Sequence, residues 1–150
     1  MFLLVVGIVL PAIFLGLVAV VLLDRDAGSS GRIRSPERGQ RIGPRFRVEG
    51  DLSMIPRGHH VWLAIRDGEL LFPSEPEIAA QDGRFTAELT LARIPERPFS
   101  LVLALVDARG QRAIEYWLLQ GGLGEGYPGF AVIPGCKRLD AVLDLSSRPD

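Results

Sequence analysis

Three sets of residues in this sequence have side chains capable of chemistry. They are the adjacent pair His59-His60, the single cysteine Cys136, and the acids Asp67, Glu69, Glu75 and Glu77. Neighbouring residues of a strand point to opposite faces, so His59 and His60 cannot both reach one metal from a regular strand. The chain has no other histidine and no H-x-H or H-E-x-x-H motif, the spacings that place two imidazoles on one side of a metal. The pair reads as a polar turn leading into the strand that carries Trp62. Cys136 would need a base beside it to act as a nucleophile, and nothing in the sequence puts a histidine there. The four acids lack the Asp-x-Asp-x-Asp-Gly order of a calcium loop and read as a solvated face. We therefore expect no catalytic, cofactor-binding or metal-binding residues, and a protein that is not an enzyme.

The segment Gly121-Gly122-Leu123-Gly124-Glu125-Gly126-Tyr127-Pro128-Gly129 is rich in glycine. A phosphate cradle needs a following Lys-Ser/Thr, or a helix opening after G-x-G-x-x-G. Neither is present, and Pro128 stands where such a helix would continue. It reads as a flexible loop from which Leu123, Tyr127 and Phe130 form a candidate contact surface. Nucleic acid is not an expected partner. Positive charge is in excess over residues 24–60 and negative charge over residues 61–150, with no basic patch interleaved with aromatics.

The elements that position these groups fall into two unlike parts. Mean hydropathy is +0.22 although 23% of the 150 residues are charged, and the apolar excess has one location: no charged residue precedes Asp24. As a helix, residues 2–23 would measure roughly 33 Å, enough for a hydrocarbon core of about 30 Å. A cleaved signal peptide would have a basic start, a shorter apolar core and a small-residue cleavage site at its end, which this run lacks. We expect an uncleaved single-pass anchor, kinked at Pro11. Ala12 and Gly16 form a small-xxx-small face on which a second helix, including that of another copy, can pack. Arg25, Arg32, Arg34, Arg38 and Arg41 all follow the run, so the positive-inside rule places the C-terminal domain in the cytoplasm, the extracytoplasmic side being the alternative.

Residues 24–44 mix Gly, Ser, Pro and charge without periodicity, and read as a juxtamembrane linker leading into the first strand. From residue 45 to 146 the pattern is that of strands. Phe46, Val48 and Leu52 alternate with charges, as do Phe85, Ala87, Leu89 and Leu91, and again Leu139, Ala141, Leu143 and Leu145. Residues 60–66 and 99–106 are apolar on both faces and suit central strands covered on both sides. Asp67-Gly68 marks a hairpin into a short strand at Leu70-Leu71-Phe72. Across residues 111–120 the period changes: Ile114, Trp117 and Leu118 fall at i, i+3 and i+4, which favours a short helix stopped by Gly121 and covering one end of the sandwich. The alternative is another strand, since Ile, Tyr and Trp favour strands. Residues 147–150 are a tail. The fold class expected is mainly β, an antiparallel sandwich with one short helix behind a single N-terminal transmembrane helix.

Ile33-Arg34-Ser35-Pro36-Glu37-Arg38-Gly39, followed by Phe46-Arg47-Val48-Glu49-Gly50, resembles the opening of bacterial immunoglobulin-like modules. Val61-Trp62-Leu63 is similar to their Trp-bearing central strand, and residues 134–142 resemble their last loop and strand. The chain departs from the pattern in having no cysteine pair to bridge the sheets and in its glycine-rich segment. The resemblance implies an immunoglobulin-like β-sandwich that binds or spaces, and no particular chemistry. With one lysine against many arginines, the composition suggests a GC-rich bacterial source. The function expected is a membrane-tethered, non-catalytic binding or scaffolding module whose partners are the lipid bilayer and a protein, or a glycan. The alternative is a small subunit of a membrane complex, or a membrane effector, in which the transmembrane helix packs against partner helices.

Overall fold

A computed structural model of the chain describes residues 28–148. The elements are β1 (Ser30–Ser35), β2 (Arg41–Ile42), β3 (Arg45–Ser53), β4 (His60–Asp67), β5 (Leu70–Ser74), β6 (Arg84–Thr90), β7 (Phe99–Val106), α1 (Ala108–Leu119) and β8 (Cys136–Ser147). They form a three-stranded sheet in the order β1-β3-β6 and a five-stranded sheet in the order β2-β8-β7-β4-β5. All pairings are antiparallel except β2 with β8, which is parallel and two residues long. Among the described residues no helix is long and apolar enough to cross a membrane. The run 2–23, with Ala12 and Gly16, lies outside them.

Period-two alternation builds the space between the sheets. Val48 and Leu52 from β3 and Phe85, Ala87 and Leu89 from β6 meet Val61, Leu63 and Ile65 from β4 and Leu101, Leu103 and Leu105 from β7 in one cluster. Leu63, Leu101 and Leu103 are completely buried. Side chains of this size each contribute about 1.5–3 kcal/mol of transfer free energy when fully buried.

The structure corrects three boundaries of the sequence reading. Residues 24–44 are not all linker, because β1 and β2 lie within them. Ser30–Ser35 has a single large apolar residue, Ile33, and it is the one that turns inward. The alternation expected from Leu139 to Leu145 does not run through β8. Its register with β7 shifts twice, between the partners of Leu103 and Ala104 and again between those of Phe99 and Leu101. Asp144 has φ 59°. These bulges re-aim the strand, so Val142 and Leu145 are buried while Leu143 faces solvent. The freed Asp140 carboxylate accepts the Ile33 N–H at 2.7 Å and ties β8 to β1 across the sandwich edge. The helix begins three residues earlier than its periodicity suggests, and it covers a face of the five-stranded sheet rather than an end.

Leu103→Ala is expected to destabilise the domain by about 3 kcal/mol, within the range for Leu truncation in a close-packed core. Leu119→Ala, on the exposed side of α1, should change stability by less than about 0.5 kcal/mol. Urea unfolding followed by tryptophan fluorescence checks both.

Candidate functional site

His60 and Cys136 share the outer face of the five-stranded sheet with Trp62. Because Val61, Leu63 and Ile65 point between the sheets, Trp62 must point the other way. There it joins Val106, Ile114 and Ile133 in a second buried cluster, with Leu71, Leu118, Phe130 and Cys136 packed against it. The chain from β7 to β8 supplies the cover. It leaves β7 at Asp107, runs through α1, and returns along residues 120–135.

Asp107 sets the start of the helix. Its Oδ1 accepts the N–H groups of Arg109 and Gly110 at 2.9 and 3.1 Å, satisfying two of the donors that a helix start leaves free. The Arg109 guanidinium donates to Oδ2 at 3.0 and 3.1 Å. That side-chain bond, with the backbone bonds behind it, holds the Asp107 carboxyl below its ordinary pKa. The far end is closed by Gly121 at φ 89°, with Gly121 N–H to Leu118 O at 3.1 Å and Gly122 N–H to Trp117 O at 2.9 Å. This pair of bonds around a left-handed residue is the Schellman arrangement. Gly122 then lies so close to the Trp117 ring that a Cβ there would overlap it.

A polar network joins helix to sheet. Trp62 Nε1–H donates to Gln111 Oε1 at 2.8 Å. An indole nitrogen only donates, so the amide oxygen of Gln111 must face it and the NH2 group must face away. That NH2 donates to Glu115 Oε1 at 2.9 Å and Glu77 Oε2 at 3.1 Å. Glu77 in turn meets His60 Nδ1 at 2.5 Å through its other oxygen. Gln111 is buried, and among the described residues no buried side-chain nitrogen or oxygen lacks a partner.

The expected residues are distributed as follows. His60 faces Glu77, while His59 Nδ1 lies 3.3 Å from Arg57 O. His60, Val106 and Cys136 form one row across β4, β7 and β8. Two strand spacings, roughly 10 Å, separate the histidine from the thiol, so the pair cannot exchange a proton directly. Burial also pushes the Cys136 thiol above its ordinary pKa, the opposite of activation. Asp67 faces Arg97 at 3.7 Å and Glu69 faces Arg66 at 3.9 Å, so the acids are divided among partners. Among the described residues no three metal-ligating side chains come together.

The glycine-rich segment is irregular but pinned. Trp117 Nε1–H donates to Pro128 O at 2.8 Å. Arg93 donates to Tyr127 O at 2.7 Å while its guanidinium lies 4.2 Å over the Phe72 ring. Of the three candidate contact residues, Tyr127 packs edge-on against Trp117 with centroids 6.2 Å apart. Phe130 lies against the same ring at 5.7 Å and bridges its backbone to Leu71. Leu123 is exposed, and Tyr116 and Leu119 on α1 are exposed as well. Sequence reasoning missed Gln111, Glu115 and Arg93. The one signal for Gln111 is its place in the stripe of Ile114 and Trp117, where a polar residue needs an internal partner.

No protein-family model matches the chain, and no curated protein matches it.

Gln111→Leu orphans the Trp62 indole and withdraws two donors from the glutamates. The cost expected is about 1–3 kcal/mol for the unsatisfied buried group, read from urea midpoints and a shift of Trp62 emission. The Asp107 prediction follows from linkage. A carboxyl whose folded pKa is depressed stabilises the fold above its unfolded value and loses that contribution as pH falls through the folded value. Wild type should therefore lose stability below about pH 4, and the difference between wild type and Asp107→Asn should shrink over that range.

Proposed function

We propose that the protein is a membrane-tethered, non-catalytic binding or scaffolding module of a bacterial protein, with an immunoglobulin-like domain on a single N-terminal span. The observation that carries the tether is the run of residues 2–23, free of charge and long enough for a bilayer, directly ahead of a domain of ordinary polarity. Connectivity supports the immunoglobulin-like reading. Strands β1, β3 and β6 face β8, β7, β4 and β5, the placement of strands A, B and E against G, F, C and C′ in that fold. Two features depart from it. Trp62, on the strand equivalent to C, turns outward to α1 instead of into the space between the sheets. The connection before the last strand is expanded into the helix and its return.

That expansion is where we place the partner surface. Tyr116 and Leu119 are 65% and 82% exposed and lie one turn apart on α1, with exposed Leu123 just beyond. Large apolar side chains grouped on a rigid, capped helix favour a protein partner. The excess of arginine after the span favours a cytoplasmic domain.

Four experiments test this reading. The chain should stay with membranes through alkaline carbonate washing. With Cys136→Ser as background, Leu119→Cys should react with a membrane-impermeant maleimide only after cell lysis, and labelling in intact cells would reverse the orientation. Replacing residues 2–23 by a plain poly-leucine span should preserve partner capture by the domain, whereas loss would shift the function to the packing of the span itself. Tyr116→Ser with Leu119→Ser should reduce crosslinking to the partner at least tenfold without changing the urea midpoint.

A further inference from the structure

The start of β1 at Ser30 leaves little chain between span and domain. From Leu23 to Ser30 a fully extended backbone reaches at most about 25 Å. The end of the sandwich from which β1 begins must therefore lie close to the bilayer. The pairings identify that end: Ser30 lies opposite Ser53, and Arg84 opposite Asp51. The connection 54–59 crosses from there to the start of β4.

The tip of this connection has an unusual composition. Met54 is 62% exposed with φ 61°, so an apolar side chain is held outward in a backbone conformation that non-glycine residues seldom adopt. Ile55, its neighbour, packs against the core, which fixes the direction of the tip. Arg57 follows Met54 on the same connection, and Arg32 and Arg84 flank Asp51 in the cross-strand row just before it. All three are exposed and without an ion pair among the described residues. The acids at this end are largely occupied. Asp51 is taken by Arg34 at 2.6 Å, Asp107 by Arg109, and Glu77 by His60 and the Gln111 amide, leaving Asp82 in the turn before β6.

We propose that this end of the sandwich docks on the bilayer, with Met54 inserted among the headgroups and Arg32, Arg57 and Arg84 against the phosphates of anionic phospholipids. Each basic residue near an anionic surface contributes roughly 1 kcal/mol, so three together favour contact about a hundredfold or more over a domain free on its tether. The domain then stands upright, and Leu119 at the far end of α1 points away from the membrane. The proposal rests on residues 2–23 spanning the membrane.

The test uses the full chain with Cys136→Ser in vesicles of phosphatidylcholine with or without phosphatidylglycerol at about one lipid in three, which supplies the anionic surface. An environment-sensitive fluorophore is attached at Met54→Cys, at Arg57→Cys as a second reporter, and at Leu119→Cys as the distal control. Headgroup-nitroxide lipid should quench the Met54 and Arg57 probes at least threefold more than the Leu119 probe. Arg32→Glu with Arg84→Glu should abolish that difference in the anionic vesicles. Probes quenched equally at all three positions, or equally with and without phosphatidylglycerol, would overturn the docking while carbonate-resistant flotation leaves the span intact. Failure of the chain to float with vesicles after carbonate washing would overturn both.

Discussion

A sheet that is apolar on both faces has to be covered on both faces. The residues of β4 and β7 impose this requirement on the rest of the domain. Leu63 and Leu103 are buried by the three-stranded sheet, but Trp62, Ala64, Val102 and Val106 belong to the opposite face and are equally buried. Three strands cannot cover two sides. The chain between β7 and β8 meets the need by folding back as α1 and its return. This explains why so long a connection is tightly anchored at each corner. Asp107 caps the helix and its own N–H donates to Gly135 O at 3.1 Å. Gly135 has φ 58°, and a Cβ on it would overlap the Asp107 carboxylate, so departure and return are locked together where β7 ends and β8 begins.

Among the polar contacts, magnitudes separate those that specify the fold from those that decorate it. Exposed ion pairs such as Arg38–Asp144 and Arg47–Glu49 contribute between about zero and 1 kcal/mol each. The Trp62–Gln111 bond is buried, and breaking it leaves a donor without water, which costs more than an exposed pair yields. Gln111 can serve the indole only when α1 sits at one register along the sheet. Apolar packing of Ile114 and Trp117 supplies attraction without fixing that register, and the network of Gln111, Glu77 and His60 supplies the alignment.

The parts legible in the sequence are those whose environment repeats along the chain. Phe85, Ala87 and Leu89 alternate because β6 has one wet face. Residues 60–66 and 99–106 do not alternate because β4 and β7 are covered on both faces over most of their length, and the pattern alone points to two covered faces. β1 was illegible because an edge strand of six residues with one buried apolar side chain has too few repeats to show a period. The bulges of β8 erased a real alternation, so Leu143 read as core and Val142 as surface. The polar network was illegible for another reason. Trp62 and Gln111 are 49 residues apart, and Gln111 and Glu77 are 34 apart, so only the fold brings them together. Leu123, Tyr127 and Phe130 read from the sequence as one contact surface, but the sequence could not show that Trp117 would claim the rings of Tyr127 and Phe130.

The early start of β1 also bears on how topology is read from charge. Arg32, Arg34 and Arg38 count toward a positive C-terminal flank, yet in the folded domain they belong to β1 and the turn after it, with Arg34 paired to Asp51 and Arg38 to Asp144. Neutralisation by these pairs would weaken the signal if orientation were decided by the folded protein. Both partners lie well downstream of the arginines, and Asp144 is 106 residues from Arg38. The span proposed for residues 2–23 would insert before that partner has been joined to the chain, and the arginines would then act on its orientation as unpaired charges. For the proposed span, the count that governs orientation is that of the unfolded flank, and the pairing of Arg34 and Arg38 in the folded domain leaves Arg32 free for the proposed contact with the bilayer.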